Sequence, residues 1–117
     1  MRLLTLALIL SASAATAQQD WPTRDTDTLF TREGLRDRLV GQSITFYDDG
    51  VSQFAEDGVY AYTYDQGGTA FGEYVIGEDS TVCVNFQNGF TRCDLFVAAG
   101  DQLVLITEKG DRYPVRP

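Results

Sequence analysis

Two cysteines, a run of alternating tyrosines and three pairs of adjacent acids are the residues of this chain whose types and spacing could do chemistry. Cys83 and Cys93 stand ten positions apart in "VCVNFQNGFTRCD", around an Asn-Gly. A thioredoxin-like redox motif has two residues between its cysteines, and this pair has nine. A zinc site draws three or four ligands from Cys and His, and the chain has no histidine. In an exported protein two such cysteines form a disulfide, so a staple is expected rather than a reactive thiol.

The acid pairs are Asp48-Asp49, Glu56-Asp57 and Glu78-Asp79. Calcium takes six to eight oxygens from a shaped loop, and the D-x-D-x-D-G pattern of the EF-hand is missing. Glycosidic cleavage needs two carboxylates framing a sugar cleft, which a small domain with short turns hardly builds. Each pair lies beside Gly or Ser and reads as turn polarity. A hydrolytic triad lacks its histidine base, and Ser43, Ser52 and Ser80 have no nucleophile context. No catalytic residue, metal or cofactor is expected, and the chain reads as a non-enzyme.

"VYAYTYD" places Tyr60, Tyr62 and Tyr64 on one face of a strand and Val59, Ala61 and Thr63 on the other. Rigid rings with hydroxyls suit a binding surface. The small residues suit a tight barrel interior, which would leave the tyrosines outside. Gly72 in "TAFGEYVI" opens a gap in the neighbouring strand that a ring or a ligand could fill. Tyr60, Tyr62, Tyr64, Phe71 and Tyr74 are therefore the candidate binding contacts.

The elements that must position these residues follow from periodicity. Residues 18–30, "QQDWPTRDTDTLF", are polar and read as an exposed lead-in. Thr31 then caps a short helix with Leu35 and Leu39 on one face and Gly41 at its end. Phe30 and Leu35 have the spacing of a hydrophobic staple, and Gly34 weakens the helix by up to about 1 kcal/mol. From Ser43 the period becomes two, through "SITFY", "VSQF", "VYAYTY", "TAFGEYVI", "TVCVNFQ", "FTRCDLFVA", "QLVLITE" and "RYPV". The breaks "DDG", "EDG", "DQGG", "GEDS", "NG", "AAGD" and "KGD" carry turn chemistry. The fold class expected is all-β: a small antiparallel meander of about eight strands closing into a barrel, preceded by one short helix. Pro114 suits an edge.

The cysteines also test the register of their hairpin. A two-residue Asn88-Gly89 turn sets Cys83 opposite Asp94 and gives the cleaner apolar face, with Val82, Val84 and Phe86 beside Thr91, Cys93 and Leu95. A three-residue loop, Gln87-Asn88-Gly89, with Gly89 left-handed pairs Cys83 with Cys93. Directly opposed residues lie about 4.5–5.5 Å apart at Cα, within disulfide range. That register sends Arg92 and Asp94 to the face of Val84 and Phe86. The disulfide decides for the three-residue loop.

The N-terminus indicates the compartment. In "MRLLTLALILSASAATA", Arg2, an apolar run from Leu3 to Leu10 and Ala15-Thr16-Ala17 read as a secretory signal over residues 1–17. The run is too short to span a bilayer, which takes about 20 residues. The mature chain is expected to begin near Gln18, to reside in the periplasm or be secreted, and to form one domain over 31–117 after the lead-in. No membrane insertion is expected after cleavage. Of 9 basic residues one is Arg2, so 8 remain against 17 acids. Such a surface repels nucleic acid and anionic lipid and favours a basic partner.

From Leu39 onward, about two thirds of the chain, "LVG", "EDGVYAY", "GEYVI", "VCVNF", "RCD" and "KGDRYPV" resemble uncharacterised small exported β-barrel (lipocalin-like) proteins of Gram-negative bacteria. The resemblance implies a lipocalin-like barrel and no catalytic residues. In size, export, acidity and single disulfide the chain is also similar to periplasmic β-barrel inhibitors of lysozyme. Two functions are therefore expected in competition. One is a periplasmic binding module for a protein or small amphipathic ligand, through the aromatic contacts. The other is an inhibitor meeting a basic enzyme through Asp48, Asp49, Glu56 and Asp57.

Overall fold

Each turn chemistry in the sequence becomes a reversal of the chain. A computed structural model describes residues 20–117; the leader expected over 1–17 lies outside the described residues. After a short strand β1 (Asp27–Leu29) and a helix α1 (Arg32–Leu39), eight strands follow. They are β2 (Ser43–Thr45), β3 (Val51–Phe54), β4 (Val59–Thr63), β5 (Thr69–Ile76), β6 (Thr81–Phe86), β7 (Thr91–Ala99), β8 (Gln102–Ile106) and β9 (Arg112–Pro114). Each of the eight pairs antiparallel with its neighbour in sequence, as short turns require.

The meander curls into a half-barrel. Full closure, expected from the edge problem, is reduced to one bridge, Phe46↔Val115, supported by Arg116 N donating to Thr45 O at 2.8 Å. Short β2 and β9 cannot pair along a longer seam. Their brevity leaves the trough open at one side.

Period-two alternation fills the concave face with Ile44, Phe46, Phe54, Tyr60, Ile76, Val82, Val84, Phe96, Leu103 and Val115. Helix α1 adds Leu35 and Leu39, both fully buried, and Phe30 packs against the same cluster. Thr31 caps the helix by accepting from Gly34 N at 3.0 Å. A Cβ on Gly34 would lie 3.2 Å from that capping oxygen. The absence of a side chain there eases the cap, which offsets the glycine's poor helix propensity.

The convex face carries a second cluster, Leu95, Val97, Val104 and Ile106, with Trp21 and Ala99 packed against it. The described residues of the lead-in expected over 18–30 are mostly exposed, with Trp21, Asp27 and Phe30 half-buried. Segment 27–29 is strand β1, with Leu29↔Val97 and Asp27↔Ala99. It occupies the edge of β7 beyond the last pair with β6, Thr81↔Leu95. Asp27 meets Arg112 through two 2.8 Å hydrogen bonds, Nη1 to Oδ2 and Nη2 to Oδ1. The lead-in is a strap pinned to the far end of the chain.

The cysteine hairpin takes the three-residue register. Phe86 N donates to Phe90 O at 2.8 Å, and Gly89 has φ 86°, a left-handed backbone that suits glycine. Cys83 and Cys93 are directly opposed and bonded, with Cα atoms 4.0 Å apart.

Candidate functional site

The tyrosine stripe faces the opposite way from that expected. Tyr60 is buried on the concave face, while Val59 stands exposed on the convex one. A tight closed barrel would have excluded the rings; a half-barrel leaves a trough wide enough to hold them. Tyr60 lies opposite Gly72, which lies opposite Phe86, and the Tyr60 and Phe86 rings meet edge to face at 5.9 Å between centroids. The gap at Gly72 is filled from the other side. A Cβ there would run into the Asn85 carbonyl and approach Phe86 Cα at 3.0 Å, so glycine permits the close passage of β6.

The five candidate contacts do not form one surface. Tyr60, Tyr62 and Tyr64 line a pocket at one end of the trough. Tyr74 shares the concave face but packs on Phe54 at 5.2 Å, and its hydroxyl donates to Ala55 O at 2.6 Å. Phe71 pairs with Ala61 and stands on the convex face, exposed. Strand alternation separates Phe71 from Tyr74, and strand length separates Tyr74 from Tyr64.

The pocket has a volume of about 260 Å³ and sits at the open end, away from the helix. Phe46, Phe86 and Leu105 give its apolar wall; Tyr62, Tyr64 and Tyr113 surround its mouth. At its floor the Ser52 and Tyr60 hydroxyls are hydrogen-bonded at 2.8 Å, both residues being buried. Burial, opposed by that bond, pushes the Tyr60 phenol up to about 12, so it stays neutral in the physiological range.

Arg92 and Asp94 complete the wall. Arg92 Nε and Nη2 each donate to Asp94 at 2.9 Å, a bidentate pair with both carboxylate oxygens used. The Asp94 side chain is 10% exposed and that of Arg92 45%. The Asp94 carboxylate holds the Arg92 pKa above its ordinary value. At the mouth Tyr62 meets Tyr64 edge to face at 4.9 Å. Its hydroxyl abuts Gly50, whose N donates to Asp48 Oδ1 at 2.9 Å. Burial, then the Asp48 carboxylate, raises the Tyr62 pKa.

Arg92 and Asp94 were not among the residues singled out for binding, although the signal was present in the sequence. Once the disulfide fixes the register, two charged residues must face the trough between Val84, Phe86 and Phe96. Charged side chains on an apolar face are the informative exception.

The acidic turns are apart. Asp48 and Asp49 lie before β3 at the open end, and Asp49 pairs with Arg116 at 2.6 Å. Glu56 and Asp57 lie after β3, where Asp57 accepts from Val59 N at 3.1 Å. Ser80 is a buried tie: Phe30 N donates to its Oγ at 2.9 Å, and its Oγ donates to Phe96 O. Among the described residues no group of three or more Asp, Glu or Cys gathers at metal-binding range, and no helix is long and apolar enough to cross a membrane. Compared with family models, with curated proteins and with solved structures, the chain finds no match.

Proposed function

We propose that this protein is a non-enzymatic binding module of an oxidising compartment, the periplasm or the exterior, and that its open-end pocket takes a small amphipathic ligand. The observation that carries the reading is the asymmetry of the trough. One end is filled by α1 through Leu35 and Leu39; the other is left open, ringed by aromatic side chains around a few convergent polar groups. Barrel mouths of that composition are habitual ligand sites. The disulfide supports the compartment, and the resemblance to exported lipocalin-like barrels agrees with the architecture, which by itself does not carry function. The inhibitor reading has less support, because its four acids divide between the two ends of β3.

Amide-resolved NMR of the mature chain against a fragment library tests the reading. Saturable shifts confined to the neighbourhood of Tyr62, Tyr64, Arg92 and Thr107 are expected. Fragments that perturb only the convex face, or none that bind, would overturn it.

A further inference from the structure

We propose that the open-end pocket selects organic cations, an ammonium or guanidinium group carried on a short apolar body. The inference rests on the binding reading above and specifies its ligand class. The charges around the pocket decide the sign. Its one cationic side chain, Arg92, has a carboxylate on it already, with two donors on two oxygens, so the pair presents little net charge. The remaining charged group of the lining is Asp48, exposed, with Oδ1 accepting from Gly50 N at 2.9 Å and Oδ2 without a hydrogen bond among the described residues. The whole chain has formal net charge −8, so the far field attracts cations as well.

The rings supply the second half of the recognition. Aromatic faces attract cations through their quadrupoles, and sites that combine several rings with an acid hold ammonium groups. Tyr64 and Tyr113, exposed at the mouth, offer such faces, and Tyr62 orients Tyr64 through the edge contact. An anion would meet the Asp48 carboxylate, and Asp94 already takes two of the five Arg92 N–H groups. The volume, about 260 Å³, lies just below the usual span of about 300–1,000 Å³ for ligand pockets. One ring or a short aliphatic chain fits. Two sources present that chemistry: a free amine, and a lysine side chain on a basic protein.

Matched probes test the inference: benzylamine, benzyl alcohol and benzoate, titrated into the mature protein by NMR at low and physiological salt. Benzylamine is expected to bind about tenfold tighter than either other probe, weakening as salt rises. Asp48→Asn, which retains an oxygen for Gly50 N, is expected to shrink the preference over benzyl alcohol about fivefold, near the upper end for exposed charge pairs. A blocked pentapeptide with one central lysine separates the sources. Tighter binding than benzylamine assigns the site to a protein side chain, and weaker binding assigns it to a free amine. Benzoate or benzyl alcohol binding the pocket as well as benzylamine would overturn the cation preference and leave the binding reading standing. Failure of all four probes there, together with a silent fragment library, would overturn both.

Discussion

Replacing Asp27 with asparagine should loosen the strap, and the loss should depend on pH in a calculable way. The Asp27 side chain is 1% exposed and that of Arg112 15%. The Arg112 hydrogen bonds, opposed by burial, lower the Asp27 pKa from 3.8 to about 2. A folded-state pKa below the unfolded one gives stability that is present above the unfolded value and lost as pH falls through the folded value. At 1.36 kcal/mol per pH unit the difference corresponds to roughly 2–3 kcal/mol. Removing one partner of a buried pair typically costs about 3–5 kcal/mol; partial exposure of Arg112 places the expected loss near 2–3. That is a large share of the roughly 5–15 kcal/mol holding a domain folded. Urea unfolding of wild type and Asp27→Asn, followed by Trp21 fluorescence and by circular dichroism, measures it. Trp21 is the sole tryptophan and packs on the convex cluster the strap covers. The stability gap should be full at pH 7 and close between pH 3.8 and 2. A gap that is absent at pH 7, or that persists unchanged at pH 2, would refute the reasoning.

Truncating Tyr60 to alanine should destabilise by about 3–5 kcal/mol, as for buried core aromatics, whereas Tyr64→Ser, at a 54% exposed position, should stay within about 0.5 kcal/mol. Equal losses in urea unfolding would contradict the inward stripe. Ser80→Ala strands Phe30 N without its acceptor and should cost about 1–3 kcal/mol, seen as a fall in Tm; an unchanged Tm would remove Ser80 from the framework. One phenol should titrate near 12 in an absorbance titration of the folded protein, and Tyr60→Phe should abolish that step. The stability contributed by a group with a raised folded pKa is present below its unfolded value of 10 and lost as pH climbs to 12; a Tyr60 step at 10 would show the floor of the pocket to be wet.

Local chemistry was legible and long-range chemistry was not. The helix could be read because Thr31, Leu35 and Leu39 act within a few residues of one another. The strands could be read because each break carries its own turn residues. The faces of β4 come out reversed from sequence because small residues point inward only in a tight interior, and tightness depends on whether the ends of the sheet meet. They meet only at Phe46↔Val115. Segment 27–29 is illegible as a strand for a related reason. "TRDTDTLF" is polar, and the Asp27 side chain is covered only when Arg112 arrives from 85 positions away. The pocket was half legible: its tyrosines stood out by spacing, while Arg92 and Asp94 looked like a penalty of the register rather than a wall.

The disulfide selects between two alignments of its hairpin. The alternative, a two-residue Asn88-Gly89 turn, would set Val82, Val84 and Phe86 beside Thr91, Cys93 and Leu95, a more apolar face than the one the hairpin has. In that slipped pairing Cys83 and Cys93 point to opposite faces and cannot react with each other. A bond between these two sulfurs therefore admits only the alignment Cys83↔Cys93. The bond's consequence reaches past stability. It makes the less apolar alignment the permanent one, and with it the placement of a guanidinium and a carboxylate inside the trough, where the apolar pattern of the hairpin would not have put them.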